Sequence, residues 1–477
     1  QPLDKRDAPV FGRHVLATTH GTSQLSSNGN DIITISDSNN DNQPDLVTGN
    51  PDKESVSVFT SNLEKIREIK APFPLPSFGE SLANIRDCNG DTRWIAIGAP
   101  EADNKSGMVV LVSSTGDEYQ VIQPASLGKK FGTAICQIAD IDYDEIEDIA
   151  ISAPGTCNGN VRGEVIIYSG LDFSIIKRID GLNHGDRFGA ALCRFPDGDD
   201  ADDLDELLVG APCDSWQYEH SGTMVLVNSL GVVQRIWTGQ DQWSGLGTSI
   251  CMVGDQDLDG FPDIAVSAPH MNTLNEPDGY NRGSFMHGVV HIYSGLGYER
   301  ICRLYTGSPG DYLGEQIACM GDVDGDGLDD ILTTTWRHRY RESALVVLGA
   351  RNQMLFHYST CPSTHQGNQA ICTLPDMTGD ELSEIVLGFV TDDREGQSSA
   401  SYPLQVITIN PGIPDHYLGE IQPQEFFRDP DGDSLDIQLI NLESSNSING
   451  SMAVYMATDP SGLTAISNQF LIYSPKR

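Results

Sequence analysis

Seven short apolar runs punctuate the chain, each entered through an acidic or aromatic residue and most of them left through small residues and proline. In order they are Asp45-Leu-Val-Thr-Gly-Asn-Pro51, Trp94-Ile-Ala-Ile-Gly-Ala-Pro100, Asp148-Ile-Ala-Ile-Ser-Ala-Pro154, Glu206-Leu-Leu-Val-Gly-Ala-Pro212 and Asp263-Ile-Ala-Val-Ser-Ala-Pro269. Asp330-Ile-Leu-Thr-Thr-Thr-Trp336 and Glu384-Ile-Val-Leu-Gly-Phe-Val390 complete the set without the proline. Runs this short, bounded by glycine and proline, predict buried strands. Upstream of each lies an apolar residue plus glycine: Phe78-Gly79, Phe131-Gly132, Phe188-Gly189, Leu246-Gly247 and Leu313-Gly314, with Asn28-Gly29 and Gln366-Gly367 as fainter versions. Downstream comes a second apolar strand, such as Gly163-Glu-Val-Ile-Ile-Tyr168 or Gly222-Thr-Met-Val-Leu-Val227, and then a more polar one, such as Ser174-Ile-Ile-Lys-Arg-Ile179.

A fixed order of four strands, repeated seven times, predicts an all-β fold: a seven-bladed β-propeller of four-stranded blades, each burying its faces against its neighbours. The seventh unit runs out after Leu404-Gln-Val-Ile-Thr-Ile409, and Arg13-His-Val-Leu-Ala17 is expected to supply its outer strand and close the ring. That closure hides the last sheet edge. The propeller is assigned to residues 1–411. Residues 412–477 lie beyond the repeat and form a second, small β-sandwich-like segment.

Between the first and second strands of most units lies an acidic loop. The fullest is Asp322-Val-Asp-Gly-Asp-Gly-Leu-Asp-Asp330, with carboxylates at loop positions 1, 3, 5 and 9 and glycine at 6. Alternating carboxylates around a tight turn wrap a hard cation in oxygen ligands, and the position-7 carbonyl completes the shell. Four loops fit: Asp37, Asn39, Asp41, Gln43 and Asp45; Asp140, Asp142, Asp144, Ile146 and Asp148; Asp255, Asp257, Asp259, Phe261 and Asp263; Asp322, Asp324, Asp326, Leu328 and Asp330. Gln43, Ile146, Phe261 and Leu328 would contribute carbonyls. The third-unit loop has Glu145 where glycine is usual, a strained turn that keeps its ligands. The expectation is four structural Ca²⁺ ions, with a weaker fifth loop at Asp376, Thr378, Asp380 and Glu384. The second-unit loop has lost its carboxylates, and Asp197 to Glu206 is one residue too long for a certain register. An EF-hand would need flanking helices and Glu at position 12; Thr333 and Val266 stand there instead, inside strands.

Phe-Gly, the Asp loop and Gly-Ala-Pro in fixed order resemble the FG-GAP repeats of the integrin α-subunit head, over roughly residues 10–410. The resemblance implies structural Ca²⁺ on the lower face, ligand recognition on the upper face, and a second subunit as a partner. Related repeats also occur in secreted phospholipase D enzymes specific for glycosylated inositol-lipid anchors and in adhesins. After residue 411, Phe426-Phe-Arg-Asp-Pro-Asp-Gly-Asp-Ser-Leu435 resembles the signature of cadherin-like, Ig-like or dystroglycan-type modules. The segment is shorter than the roughly 100 residues of such a sandwich. It is therefore read as truncated, with a membrane anchor beyond Arg477 as the corollary.

Composition narrows the partners. The formal charge of -39 argues against nucleic acid and anionic membranes. No run approaches the roughly 18 apolar residues of a membrane span, so no membrane insertion is expected within this chain. Ten cysteines, none in a CxxC pair, suit an oxidising compartment, and Asn104-Lys-Ser106 and Asn449-Gly-Ser451 are glycosylation sequons. With Gln1 leading and no signal peptide, the chain reads as mature and secreted or cell-surface. Cys136, Cys193 and Cys251 share one repeat position and are expected to pack, not react.

Loops on the face opposite the Asp loops carry the remaining chemistry. Cys213-Asp-Ser-Trp-Gln-Tyr-Glu-His220, the insertion from Pro269 to His287, and Trp336-Arg-His-Arg-Tyr-Arg341 would be neighbours on one rim. Trp216, Tyr218, Tyr280, Arg282, Trp336, Arg337, Arg339 and Tyr340 form the candidate recognition surface, since aromatics and Arg dominate binding hot spots. The expected function is adhesion or receptor recognition of an extracellular protein or glycan, without catalysis. A sugar-binding propeller and the non-catalytic propeller of a hydrolase are the alternatives, as there is no HExxH, GxSxG or phosphate loop.

Overall fold

In the computed structural model the described residues are 12–19, 31–41, 43–61, 63–124, 128–157, 159–196, 204–271, 286–305, 310–337, 342–349, 352–362, 369–375, 383–389, 404–410, 436–445, 450–458, 464–466 and 470–473. The apolar runs become strands buried along their whole length: Asp45–Asn50, Asp148–Ala153, Glu206–Ala211 and Asp263–Ala268. A strand covered on both faces needs apolar residues on both, which is why these runs are continuous and not alternating. The outer strand Lys65–Lys70 has no fully buried position and mixes partly buried with exposed ones, as a half-solvated edge should.

The chain is a β-propeller of four-stranded antiparallel blades. Six blades use four consecutive strands each, starting at Ile32–Ile35, Ser81–Arg86, Ile135–Ile138, Ala191–Phe195, Ile250–Val253 and Ile317–Gly321. The expectation of seven such units is therefore corrected: six are continuous. The last unit supplies only Gln369–Leu374, Glu384–Phe389 and Leu404–Asn410, and its sheet takes Gly12–Thr19 as the fourth strand. That pairing runs antiparallel from Gly12 opposite Asn410 to Thr19 opposite Leu404. The inner strand Gln369–Leu374 lies between Ile317–Gly321 and Ile32–Ile35, so the innermost strands contact one another around a ring.

Each seam between blades is a separate core. Val47, Val56 and Val58 pack on Ile95, Ile97 and Val110 across the first seam. Ile85 and Leu111 meet Ile149 and Ile166 across the second. The Phe-Gly residues enter these seams: Phe78, Phe131, Phe188, Leu246 and Leu313 are at most 1% exposed. Their glycines take positive φ, from 83° at Gly132 to 102° at Gly314, which side chains rarely adopt. Each glycine N–H donates to its own blade's Gly-Ala-Pro or equivalent strand, as from Gly79 to the Gly98 carbonyl at 2.9 Å and from Gly132 to that of Ser152 at 2.8 Å. Its carbonyl lies against the preceding blade, so close that a Cβ on Gly98 would sit 2.3 Å from the Gly132 oxygen. The Phe-Gly and Gly-Ala-Pro motifs are thus two halves of one inter-blade contact.

Polar struts cross the seams as well. Asp31 accepts from Ile32 N at 2.9 Å and, across the first seam, from Leu82 N at 2.7 Å. Burial outweighs these bonds and pushes its carboxyl up to about 6. Beyond the propeller, Asp436–Ser445, Gly450–Thr458, Thr464–Ile466 and Phe470–Tyr473 form one antiparallel sheet. The Phe426 to Leu435 motif lies outside the described residues, and nothing supports the cadherin-like reading of this segment. Among the described residues no helix is long and apolar enough to cross a membrane.

Two outcomes follow. Phe131→Ala and Gly98→Ala should each destabilise by about 3 kcal/mol or more in denaturant unfolding, by cavity and by overpacking respectively. Tyr143→Ala, at an exposed loop tip, should change stability by less than about 0.5 kcal/mol; equal effects would sink the seam account. A carboxyl raised in the fold contributes most below its unfolded value of 3.8, and that contribution is lost as pH rises through about 6. In saturating Ca²⁺ the stability of wild type relative to Asp31→Asn should therefore fall by about 2 kcal/mol between about pH 4 and pH 7. A flat difference would refute the buried strut.

Candidate functional site

Carboxylates organise the acidic loops before any ligand is considered. The position-1 aspartate accepts the amides of positions 5 and 6, as Asp322 does from Asp326 N at 3.0 Å and Gly327 N at 2.8 Å. Asp255 accepts from Asp259 N and Gly260 N, and Asp140 from Asp144 N and Glu145 N, in the same way. The position-5 aspartate accepts the amide of position 7 at 2.8 to 3.0 Å in all four loops. These Asx turns favour the left-handed positions that the loops need. Glu145 has φ of 72°, beside 93° for Gly260 and 87° for Gly327, so it holds the strained turn expected of it.

The position-9 aspartate anchors each loop to its blade. Ile141 N, Gln256 N and Val323 N donate to Asp148, Asp263 and Asp330 at 2.7 to 2.8 Å, and Ser38 N and Oγ donate to Asp45. All four are fully buried. Burial first, then neighbouring loop aspartates, pushes Asp148 and Asp330 up to about 7 and Asp263 up to about 6, and raises Asp45. The Oδ1 atoms of Asp45 and Asp330 are buried with no hydrogen-bond partner. A buried carboxylate oxygen without a partner is costly unless a cation meets it.

Ligand atoms converge within 4.8 Å in three loops: Asp140, Asp142 and Asp148; Asp255, Asp257 and Asp259; Asp322, Asp324 and Asp330. Asp37, Asp41 and Asp45 are not drawn into such a group, and the Asn39 amide there donates to Asp41 at 2.8 Å. The second-blade loop is closed by its own bonds: Asp87 accepts from Asn89 N and Asp91 N. Residues 197–203 and Asp376, Thr378 and Asp380 lie outside the described residues.

On the opposite face, a cavity of about 400 Å³ is lined by Asn183, His184, Gly185, Asp186, Cys213, Asp214, Ser215 and Trp216. Asp186 and Asp214 are buried, while Trp216 is 62% exposed and Tyr218 43%. Asn183 donates to Asp186 through its backbone at 3.1 Å and to Asp214 through its side chain at 3.0 Å. Burial, and then the Asp214 charge, raises the Asp186 carboxyl. A bond between Cys157 and Cys213 ties the loops of the third and fourth blades together at this cavity.

Of the expected rim, Trp216 and Tyr218 are placed on this face. Tyr280, Arg282, Arg339 and Tyr340 lie outside the described residues. Trp336 and Arg337 correct the reading of a free loop, because the strand Asp330–Arg337 continues through them. Sequence reasoning missed Asn183, Asp186 and Asp214; the signal was their adjacency to Phe188-Gly189 and Cys213. Cys136 and Cys193 are packed as expected, and burial pushes their thiols up to about 11 and 12, which keeps them protonated.

The chain is similar in sequence to integrin α subunits. Integrin alpha-4 of Xenopus laevis is 26% identical over 251 residues, 50% of this chain and 23% of that protein. Integrin alpha-5 of Xenopus laevis is 28% identical over 221 residues, covering 42% and 19%, and integrin alpha-PS2 of Drosophila melanogaster 29% over 196 residues, covering 39% and 12%. The chain thus spans less than a quarter of the length of these curated relatives. A solved structure described as BBS1N in complex with ARL6DN, soaked with lead, superposes with a TM-score of 0.52 at 12% identity, over 84% of this chain and 98% of that one; it shares the fold alone. No protein-family model matches.

Proposed function

We propose that this chain is an extracellular recognition propeller of the integrin α type, stabilised by Ca²⁺ on one face and binding its ligand on the other, without catalysis. The composite sheet with Gly12–Thr19 counts as a seventh blade that closes residues 1–411 into one ring, and residues 412–477 stand apart as a second segment. The observation that carries the reading is the convergence of carboxylates in three loops, one of which holds the buried, unpartnered Oδ1 of Asp330. Ca²⁺ would be held by Asp140, Asp142, Asp144 and Asp148, by Asp255, Asp257, Asp259 and Asp263, and by Asp322, Asp324, Asp326 and Asp330. Asp37, Asn39, Asp41 and Asp45 would make the fourth site. The carbonyls of Gln43, Ile146, Phe261 and Leu328 would complete the four shells. The ion supplies only positive charge and cross-linking, so its role is structural.

The upper cavity suits a ligand with a positive group on an apolar stem: Asp186 and Asp214 supply charge, and Trp216 a flat apolar wall. Extracellular location and a second subunit follow from the integrin likeness and belong to this proposal. The overall charge of -39 favours the same class of ligand by steering.

Thermal unfolding with Ca²⁺ and with a chelator, coupled to a metal count, tests the calcium reading. We expect about four ions per chain and a raised Tm, with each site adding about 2.7 kcal/mol at a hundredfold excess over its Kd. Asp322→Ala should remove one ion and that increment alone. No ion and no shift would reduce the loops to solvated turns. For the upper face, short arginine-containing peptides should bind calcium-loaded protein, and Trp216→Ala should weaken binding about tenfold. Acidic peptides binding equally well would overturn that part.

A further inference from the structure

The Sγ atoms of Cys157 and Cys213 and a ring nitrogen of His220 lie within 4.8 Å of one another. This trio takes no part in the calcium loops, and it is brought together from different blades. Cys157 follows the second strand of the third blade in an exposed turn, and Cys213 follows that of the fourth. His220 closes the fourth-blade loop and is 9% exposed. Its backbone N–H donates to Ser215 Oγ at 3.0 Å, and its carbonyl accepts from Gly245 N at 3.3 Å. Its ring stacks on Trp243 at 4.4 Å and 25°. His220 also holds φ of 49°, a conformation that a non-glycine residue keeps only where its surroundings impose it. The ring is therefore fixed beside the sulfurs by packing and backbone bonds.

Two thiolates and one imidazole are the donors that zinc-class ions prefer. Tetrahedral zinc, with Zn–S near 2.3 Å and Zn–N near 2.0 Å, places two sulfurs about 3.8 Å apart and each about 3.5 Å from the nitrogen. On reduction the two sulfurs must part from the roughly 2.0 Å of a disulfide to about 3.8 Å, and the exposed turn at Cys157 is the part able to move. We propose that Cys157, Cys213 and His220 form a zinc-class metal site that is available only when their disulfide is reduced. A phosphine reductant takes the oxygen of one water, and the two sulfurs take its two protons. A divalent ion then displaces those two protons and accepts the neutral His220 nitrogen as third ligand, leaving the fourth position to water. The bond and the ion are mutually exclusive ties between the same two loops, and either one holds the base of the loop that carries Trp216. The proposal stands independently of the calcium reading.

Cobalt(II) is the probe, added to protein whose acidic loops are saturated with Ca²⁺. After phosphine reduction, wild type should bind one Co²⁺ with a thiolate-to-cobalt charge-transfer band and intense tetrahedral bands, all lost on adding one equivalent of Zn²⁺. Oxidised protein should show none of these. Reduced His220→Ala should bind about tenfold more weakly or worse, and Cys157→Ser with Cys213→Ser should abolish the bands. Absence of the bands from reduced wild type would overturn the proposal. Bands of equal strength in either variant would do so too, by placing cobalt on other thiols such as exposed Cys88. His220→Ala retains the disulfide during folding, so it decides the matter even if the serine variant does not fold.

Discussion

The contact on which the rest depends is the seating of each Phe-Gly carbonyl on the preceding blade. At Gly49 a Cβ would lie 1.8 Å from the Gly79 oxygen, and at Gly210 2.1 Å from that of Gly247. No Cβ fits at Gly49 or Gly210, so these blades are bound to glycine at the point of closest approach. Ser152 and Ser267 take the place in the third and fifth blades, where a Cβ on the facing Gly189 or Gly314 would meet the serine Cβ at 2.8 Å. Because this lock sits at the upper ends of the strands, blade spacing is set without help from the lower loops. Those loops are then free to diverge.

The second blade illustrates that freedom. Where the other loops close on a buried acid, this one has Trp94, 7% exposed and packed edge-to-face on Phe173 of the next blade at 5.6 Å. An apolar residue seals the blade end by packing, whereas an acid at the same place needs a cation to offset its desolvation. The two solutions are not equivalent in consequence. Trp94 closes its blade end without an ionisable group; Asp148, Asp263 and Asp330 close theirs with carboxyls that burial pushes up to about 7, 6 and 7. A chain with 68 acidic and 29 basic residues carries part of its surplus charge in these loops.

Most of the fold was legible because the repeat writes its contacts twice, once in Phe-Gly and once in Gly-Ala-Pro. The acidic loops were legible for a related reason: their carboxylates are local, and alternation around a turn is a sequence property. The upper face was not. Asp186 reads as a residue before Phe188, and its neighbour Asp214 lies on the far side of a complete strand pair, so only folding unites them. The tie from Cys157 to Cys213 was hidden by the repeat itself, since the cysteines that recur in register, Cys136, Cys193 and Cys251, take no part in it. Trp336 misled in the other direction: lacking Gly-Ala-Pro, its run looked like the start of a loop, yet Trp336 pairs with Ser343 and Arg337 with Glu342.

The two faces are held by different contacts. On the lower face each acidic loop is closed by backbone amides donating to its own carboxylates, and further contacts cross to the next blade, as from Gly254 N to Asp329 at 2.8 Å. On the upper face the tie runs between blades, anchoring the loop that presents Trp216 to its neighbour through Cys157. A wall fixed at its base loses less conformational freedom when a ligand arrives, which is where binding free energy is most easily forfeited. Asn183 extends the same logic, bridging Asp186 and Asp214 before any ligand is present. The cavity is thus shaped, around two buried carboxyls, by bonds that the protein makes for itself.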